Sequence, residues 1–287
     1  MFFKNDPNRN KNQFVFQGGV GTAGLLIPWT VPSGIKGIRM TLIGGGGGGQ
    51  HGTIAAVNLA RVGGRGGNSA GITVATFLAS MLPSTIYLQV GAGGAGGTTS
   101  VGLGVAGTPS SVFADPAGTL IFATALGGTN STVTTAAATL TNMQLISNAI
   151  EWFAYAGVLG GTGGNATPTA GTAVTAMTGS ILSGGSGGGG VSTANASGAC
   201  GAVTIPANFP FLNTQSFSGT SIPGIAGQWL WNPMCGTGGQ GSSGQSTTVC
   251  LPGGDGAFGC GGGGTGGGTA ASKAGDGGPG LIILNCW

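Results

Sequence analysis

Glycine decides what this chain can fold into. The runs at 44–49, 187–190 and 261–264 are uninterrupted glycine, and they are too long to be turns. Each glycine costs about 0.5–1 kcal/mol of extra backbone entropy relative to alanine, so an ordered fold holds many of them only where geometry demands it. Two geometries do: left-handed turns, and extended three-residue-per-turn helices packed so closely that any Cβ would strike a neighbour. Run length favours the second. It predicts polyglycine-II segments lying side by side and exchanging backbone hydrogen bonds laterally, because buried N–H and C=O groups must be paired.

The composition agrees and excludes several classes. Glycine supplies 67 of 287 residues, well above the usual ~7 %, yet it clusters instead of recurring at every third position, which excludes collagen. Only 8 Lys or Arg and 5 Asp or Glu are present, with none between Glu151 and Asp255. A net charge of +3 provides no basic stripe to neutralise phosphates, so no nucleic-acid partner is expected. The apolar stretches are broken every few residues by Gly, Thr, Ser or Asn, so no membrane insertion is expected. The polar opening MFFKNDPNRNKNQ has no apolar core of a secretory signal, which points to synthesis in a cytoplasm.

Five stretches follow along the chain. Residues 1–13 hold Lys4, Asp6, Arg9 and Lys11 and read as an attachment arm, with Phe2, Phe3, Lys4, Arg9 and Lys11 as its candidate contacts. Residues 14–128 read as a β-rich sandwich part. Ile38, Met40 and Leu42 alternate with Arg39 and Thr41, and Ile86, Leu88 and Val90 with Tyr87 and Gln89, the period of half-buried strands. Residues 129–156 contain no glycine. Met143, Ile146, Ile150 and Phe153 recur there at spacings of three and four behind a capping-box pattern, Thr141 with Gln144, which predicts one short inserted helix. Residues 157–287 are the glycine-rich part, with an aromatic loop at 205–234 and a closing strand at 281–285. The expected class is all-β: a β-sandwich or jelly-roll-like core with polyglycine-II segments and that one helix.

The order of motifs resembles a known family. Trp29-Thr30-Val31-Pro32-Ser33-Gly34 precedes the strand at 38–43 and the glycine run, Leu82-Pro83 precedes Ile86 and a second glycine stretch at 91–97, and Gly277-Gly278-Pro279-Gly280 precedes Leu281. This series resembles the glycine-rich domain of bacteriophage tail-fibre and virion-surface proteins. The resemblance implies a non-enzymatic structural module on the surface of a phage particle, beside other virion proteins, with the glycine-rich end exposed and suited to host attachment. The alternatives are a capsid or baseplate decoration protein without a receptor role, or a cellular glycine-rich adhesive protein.

Motifs that would carry chemistry are weak. Residues 19–24 spell GxGxxG, but no helix or later acidic residue follows to complete a dinucleotide site. Residues 253–256 resemble a fragment of a calcium-binding repeat, and a β-roll needs several stacked copies. The single histidine, His51, and carboxylates at 6, 115, 151, 255 and 276 offer no converging acid and base, so neither a catalytic nor a cofactor site is expected. Cys200, Cys235, Cys250, Cys260 and Cys286 contain no Cys-x-x-Cys pair. That argues against zinc and for buried thiols, with a Cys235–Cys250 disulfide as the alternative.

Two clusters remain as contact candidates. Phe209, Phe211, Trp229 and Trp231 could meet a host glycan or protein, since aromatics stack on sugar faces, or could lid the glycine lattice as a satellite core. The stripe Met143, Ile146, Ile150 and Phe153 is a candidate subunit interface. A chain so poor in side chains has a modest core, and assembly as a homotrimer would add burial between subunits.

Overall fold

The computed structural model describes residues 12–21, 24–131, 149–167, 169–175, 182–204, 222–228 and 236–287. These residues form an all-β molecule built on two antiparallel sheets. The first has the order β1 (Gln13–Gln17), β11 (Leu281–Cys286), β3 (Gly37–Ile43), β4 (Ile72–Leu78), β8 (Glu151–Tyr155). The second has the order β2 (Ile27–Thr30), β5 (Thr85–Gln89), β6 (Ser110–Phe113), β7 (Ile121–Ala125). A short parallel pair, β9 (Val174–Thr175) and β10 (Val203–Thr204), stands apart.

Alternation places the core. Ile38, Met40, Leu42, Ile282 and Leu284 from the first sheet meet Trp29, Ile86, Leu88, Val112 and Phe122 from the second, as period-two strands with one apolar face require. Phe77 and Phe122 close edge-to-face at 5.7 Å. The other face of the first sheet is covered as well. Ile43, Ile72, Val74, Leu281 and Ile283 pack under Leu182, Ala257 and Cys260, which belong to the glycine-rich part.

Residues 151–155 correct the helix expectation. They form β8, pairing antiparallel with β4, Tyr155 opposite Ile72 and Glu151 opposite Thr76. The i, i+3, i+4 spacing that ends on Phe153 is overruled by pairing with an edge that already has its partner's hydrogen bonds on offer. Phe153 instead lies half-buried against Val74 and its neighbours, with the Arg39 guanidinium 5.7 Å from its ring. Ile150 is exposed. Met143 and Ile146 lie outside the described residues, and no α-helix occurs among the described ones.

Beyond the sandwich the strands run into polyglycine-II helices, and the period changes from two to three. The run 44–49 makes this explicit. A Cβ on Gly44 or Gly47 would lie 2.3 or 2.0 Å from the carbonyl oxygens of Leu126 and Thr129; on Gly45 or Gly48, 1.9 or 2.1 Å from those of Ala92 and Ala95; on Gly46 or Gly49, 1.9 or 2.2 Å from those of Cys260 and Gly263. Every third residue faces the same neighbour three residues further on, which is a three-fold helix in side-by-side contact. Its amides donate to three antiparallel neighbours: Gly47 to Asn68 O, Gly48 to Val105 O and Gly49 to Gly275 O, each at 2.9 Å. Its carbonyls accept from three parallel ones: Gly45 O from Gly128 N at 2.7 Å, Gly46 O from Gly94 N at 2.8 Å and Gly47 O from Gly262 N at 3.0 Å. Six neighbours surround the run, and any side chain would open the lattice.

Small hydroxyl residues substitute where glycine is not used. Ser186 and Ser242 are fully buried; their hydroxyls accept from Gly241 N and Gly266 N and donate to Gly201 O and Leu251 O. Ser110 works at the seam between sheet and lattice, accepting from Gly91 N and donating to Ile43 O. One turn at the seam needs glycine for conformation as well as space: Gly259 has φ +68°, and a Cβ there would meet Ile43 at 2.4 Å.

Register gives the molecule two ends. Gly37, Leu78 and Asn285 lie at one end of the first sheet, while Ile43, Ile72 and Leu281 lie where the lattice begins. Gln13 pairs with Asn285 and Trp287 O accepts from Lys36 N at 2.6 Å. The first described residues and Trp287 therefore share the base, and the lattice turns at 53–60, 99–101, 192–195 and 246–249 form the opposite tip. Because the strands at 13–125 and 281–286 alternate with lattice segments, sandwich and glycine part interleave along the chain.

Candidate functional site at the lattice tip

Chemistry-bearing side chains concentrate at the tip. Positive φ at non-glycine residues occurs, among the described residues, at Asn58 (67°), Val101 (50°) and Asn195 (60°), all in tip loops. Asparagine tolerates this region; a β-branched valine does not, and holding it there costs of order 1–3 kcal/mol. Neighbours hold Val101 in place: its amide donates to Gly52 O at 3.2 Å, and its carbonyl accepts from Gln50 Nε2 at 3.3 Å.

Arg61 pins three loops together. It is fully buried, a rare state for a cation unless it is paired or hydrogen-bonded. Here carbonyls do that work: Nη1 donates to Gln245 O at 3.1 Å, Nη2 to Ser246 O at 2.8 Å and to Asn195 Oδ1 at 3.0 Å, and Nε to Leu59 O at 3.2 Å. Asn195 in turn accepts from Asn58 N at 2.9 Å and donates through Nδ2 to Asn58 Oδ1. Burial lowers the pKa of the guanidinium, with the Cys250 sulfur opposing the shift.

His51 is a structural member of the lattice. It is fully buried, Nε2 accepts from Ser272 N at 3.1 Å, and Nδ1 therefore carries the proton that it donates to Gly52 O at 2.6 Å. Both ring nitrogens are used. That leaves neither free for proton transfer to a substrate.

Beside this cluster lies a groove of about 440 Å³. Its walls come from the segments at 50–53, 62–65, 101, 162–165 and 169–172. Gln50, Thr53, Thr162, Asn165, Thr169 and Thr172 line it, together with Arg65 and the apolar edge of Val101. Among the described residues no carboxylate does.

The aromatic contacts expected from sequence, Phe209, Phe211, Trp229 and Trp231, lie outside the described residues, as do Cys235 and the expected arm residues Phe2, Phe3, Lys4, Arg9 and Lys11. Cys200, Cys250, Cys260 and Cys286 are buried thiols. Burial pushes Cys250 up to about 11, against the opposing charge of Arg61, and raises Cys200 and Cys286. Sequence reading passed over Arg61 and Arg65, although a signal existed: they are the sole cations between Arg39 and Lys273, set inside a lattice that otherwise avoids charge.

A family model described as glycine-rich domain matches residues 20–287. The chain belongs to the glycine-rich domain family. The matched span runs from the edge of the sandwich through the whole lattice, so strands and polyglycine helices are parts of one domain. No curated protein matches the chain.

Proposed function

We propose that this glycine-rich domain is a non-enzymatic structural component of a bacteriophage particle, a fibre or spike module whose lattice tip contacts the host surface. The observation that carries the reading is the separation of ends. The expected attachment arm, residues 1–13, ends on Gln13, the first residue of β1 at the base, beside Trp287, while the loops with constrained backbones lie at the opposite tip. Such a polarity suits a protein anchored by one end to other virion proteins and presenting the other. Loops on a rigid scaffold are where binding residues concentrate, and a lattice of paired backbones is a rigid scaffold. The phage setting itself comes from the resemblance of the motif series. A non-enzymatic role is supported by His51, whose ring is consumed by two backbone contacts.

The test is imaging of intact particles that carry a gold label at loop 192–195 or, separately, at Trp287. A fibre module places the loop label farther from the particle axis than the Trp287 label. Labels spread evenly over the shell, with no radial difference, would give a decoration protein instead. The aromatic contact expected from the sequence has a test of its own: Trp229→Ala combined with Trp231→Ala abolishes adsorption to cells while particle assembly persists. Normal adsorption by that variant removes the aromatic loop from the contact surface.

A further inference from the structure

We propose that the groove under Val101 binds a sugar unit bearing a negative charge, with Arg65 pairing the anion. This rests on the host-surface reading for its biological setting, but the binding can be measured without it.

Size sets the first limit. About 440 Å³ falls within the range of small-ligand sites and suits one or two sugar rings, not an extended polymer. Chemistry sets the second. Gln50, Thr53, Thr162, Asn165, Thr169 and Thr172 line the groove with amides and hydroxyls, which both donate and accept, as sugar hydroxyls do. A lipid or an aromatic ligand would need a mainly apolar wall, and a nucleic acid would need several cations.

Charge sets the third. Arg65 is half-buried and belongs to no ion pair; among the described residues the ion pair is Lys273 with Asp276 at 2.6 Å. The Arg65 backbone amide faces Gln50 Oε1 at 3.4 Å, which ties the segment to the groove wall while the guanidinium fork remains for a ligand. That fork matches a carboxylate or a phosphate, and no carboxylate in the lining competes for it. Gly63 and Gly163 also line the groove, their Cβ-less sides packed against the backbone of Gly188 and Gly63, so the lattice forms the groove wall there. Val101, held at φ 50° and more than half exposed, presents an apolar rim that fits the C–H face of a sugar ring.

Two sources share this chemistry, a carboxylate-bearing sugar and a sugar phosphate. Calorimetric titration of the full chain with digalacturonate, glucose 1-phosphate and cellobiose separates them. The expected result is binding of at least one acidic probe at roughly millimolar Kd or tighter, a loss of tenfold or more in Arg65→Gln, a smaller loss in Arg65→Lys and in Thr162→Val, and no change in Lys36→Gln, which lies at the base. Unchanged melting temperatures in these variants keep the losses assigned to the groove. The acidic probe that binds better names the source. Cellobiose binding as tightly as both acids, silence from all three probes, or undiminished binding by Arg65→Gln would each overturn the proposal. Particle imaging can fail without touching these outcomes, and the titration can fail without touching the imaging.

Discussion

At the scale of single residues, the fold stands on glycines that leave no room for a Cβ and on a few buried polar groups. Gly46→Val and Gly188→Val place a side chain about 2 Å from the carbonyl oxygens of Cys260 and Thr265, so each should cost several kcal/mol through overpacking and lost hydrogen bonds. Gly19, with nothing within 4 Å of its ideal Cβ, is the control, and Gly19→Val should melt within a degree or two of the parent. Equal melting temperatures for all three would mean that the runs are not packed. Cys250 supplies a pH test. Its thiol ionises near 9.0 when unfolded and only near 11 in the fold, so below 9.0 both states hold the proton and stability is unaffected. Between those values the unfolded chain gives up its proton first, and stability falls by about 1.4 kcal/mol per pH unit, with Cys200 and Cys286 adding in the same direction. Urea midpoints should decline from pH 9 to 10.5 in the parent and more shallowly in Cys250→Ala; parallel curves would contradict the assignment.

At the scale of elements, the strands were legible because alternation is a local signal. Ile38, Met40 and Leu42 announce β3, Ile86 and Leu88 announce β5, and Leu281 to Leu284 announce β11, and all of these apolar residues are buried. The polyglycine helices were legible for a different reason, since run length alone separates them from turns. Residues 151–155 depart from the helix reading because spacing alone does not fix the conformation of Phe153, and pairing with β4 makes it a strand; Met143 and Ile146 lie outside the described residues. The groove was not legible at all: Arg65, Val101 and Thr162 are far apart in sequence, and the lattice alone brings them together. Strand β8 also carries a prediction about assembly. It is an edge of the first sheet, and Ile150, Trp152 and Tyr155 expose 58, 53 and 42 % of their surface there, a combination that invites a partner. We propose that this edge contributes to a homotrimer. Sedimentation at micromolar concentration should give about three times the 27.3 kDa chain mass, and Ile150→Glu with Trp152→Glu should return the monomer. A parent that sediments as a single chain would rule this out.

For the whole molecule, base and tip should be separable by deletion. Asn12 O accepts from Cys286 N at 2.7 Å, so removing residues 1–11 leaves this contact and β1 intact; the truncated protein should fold and melt like the parent but fail to join particles. Normal incorporation would move the anchor elsewhere. The central claim is that the glycine runs form an ordered lattice that carries the tip, and amide hydrogen exchange tests it most directly. Each amide from Gly44 to Gly49 donates to a backbone carbonyl at 2.8–3.2 Å with its residue sealed from solvent, so these amides should exchange only through global unfolding, as slowly as those of β3. Exchange of these glycines at the rate of an unstructured chain while β3 stays protected would contradict the lattice.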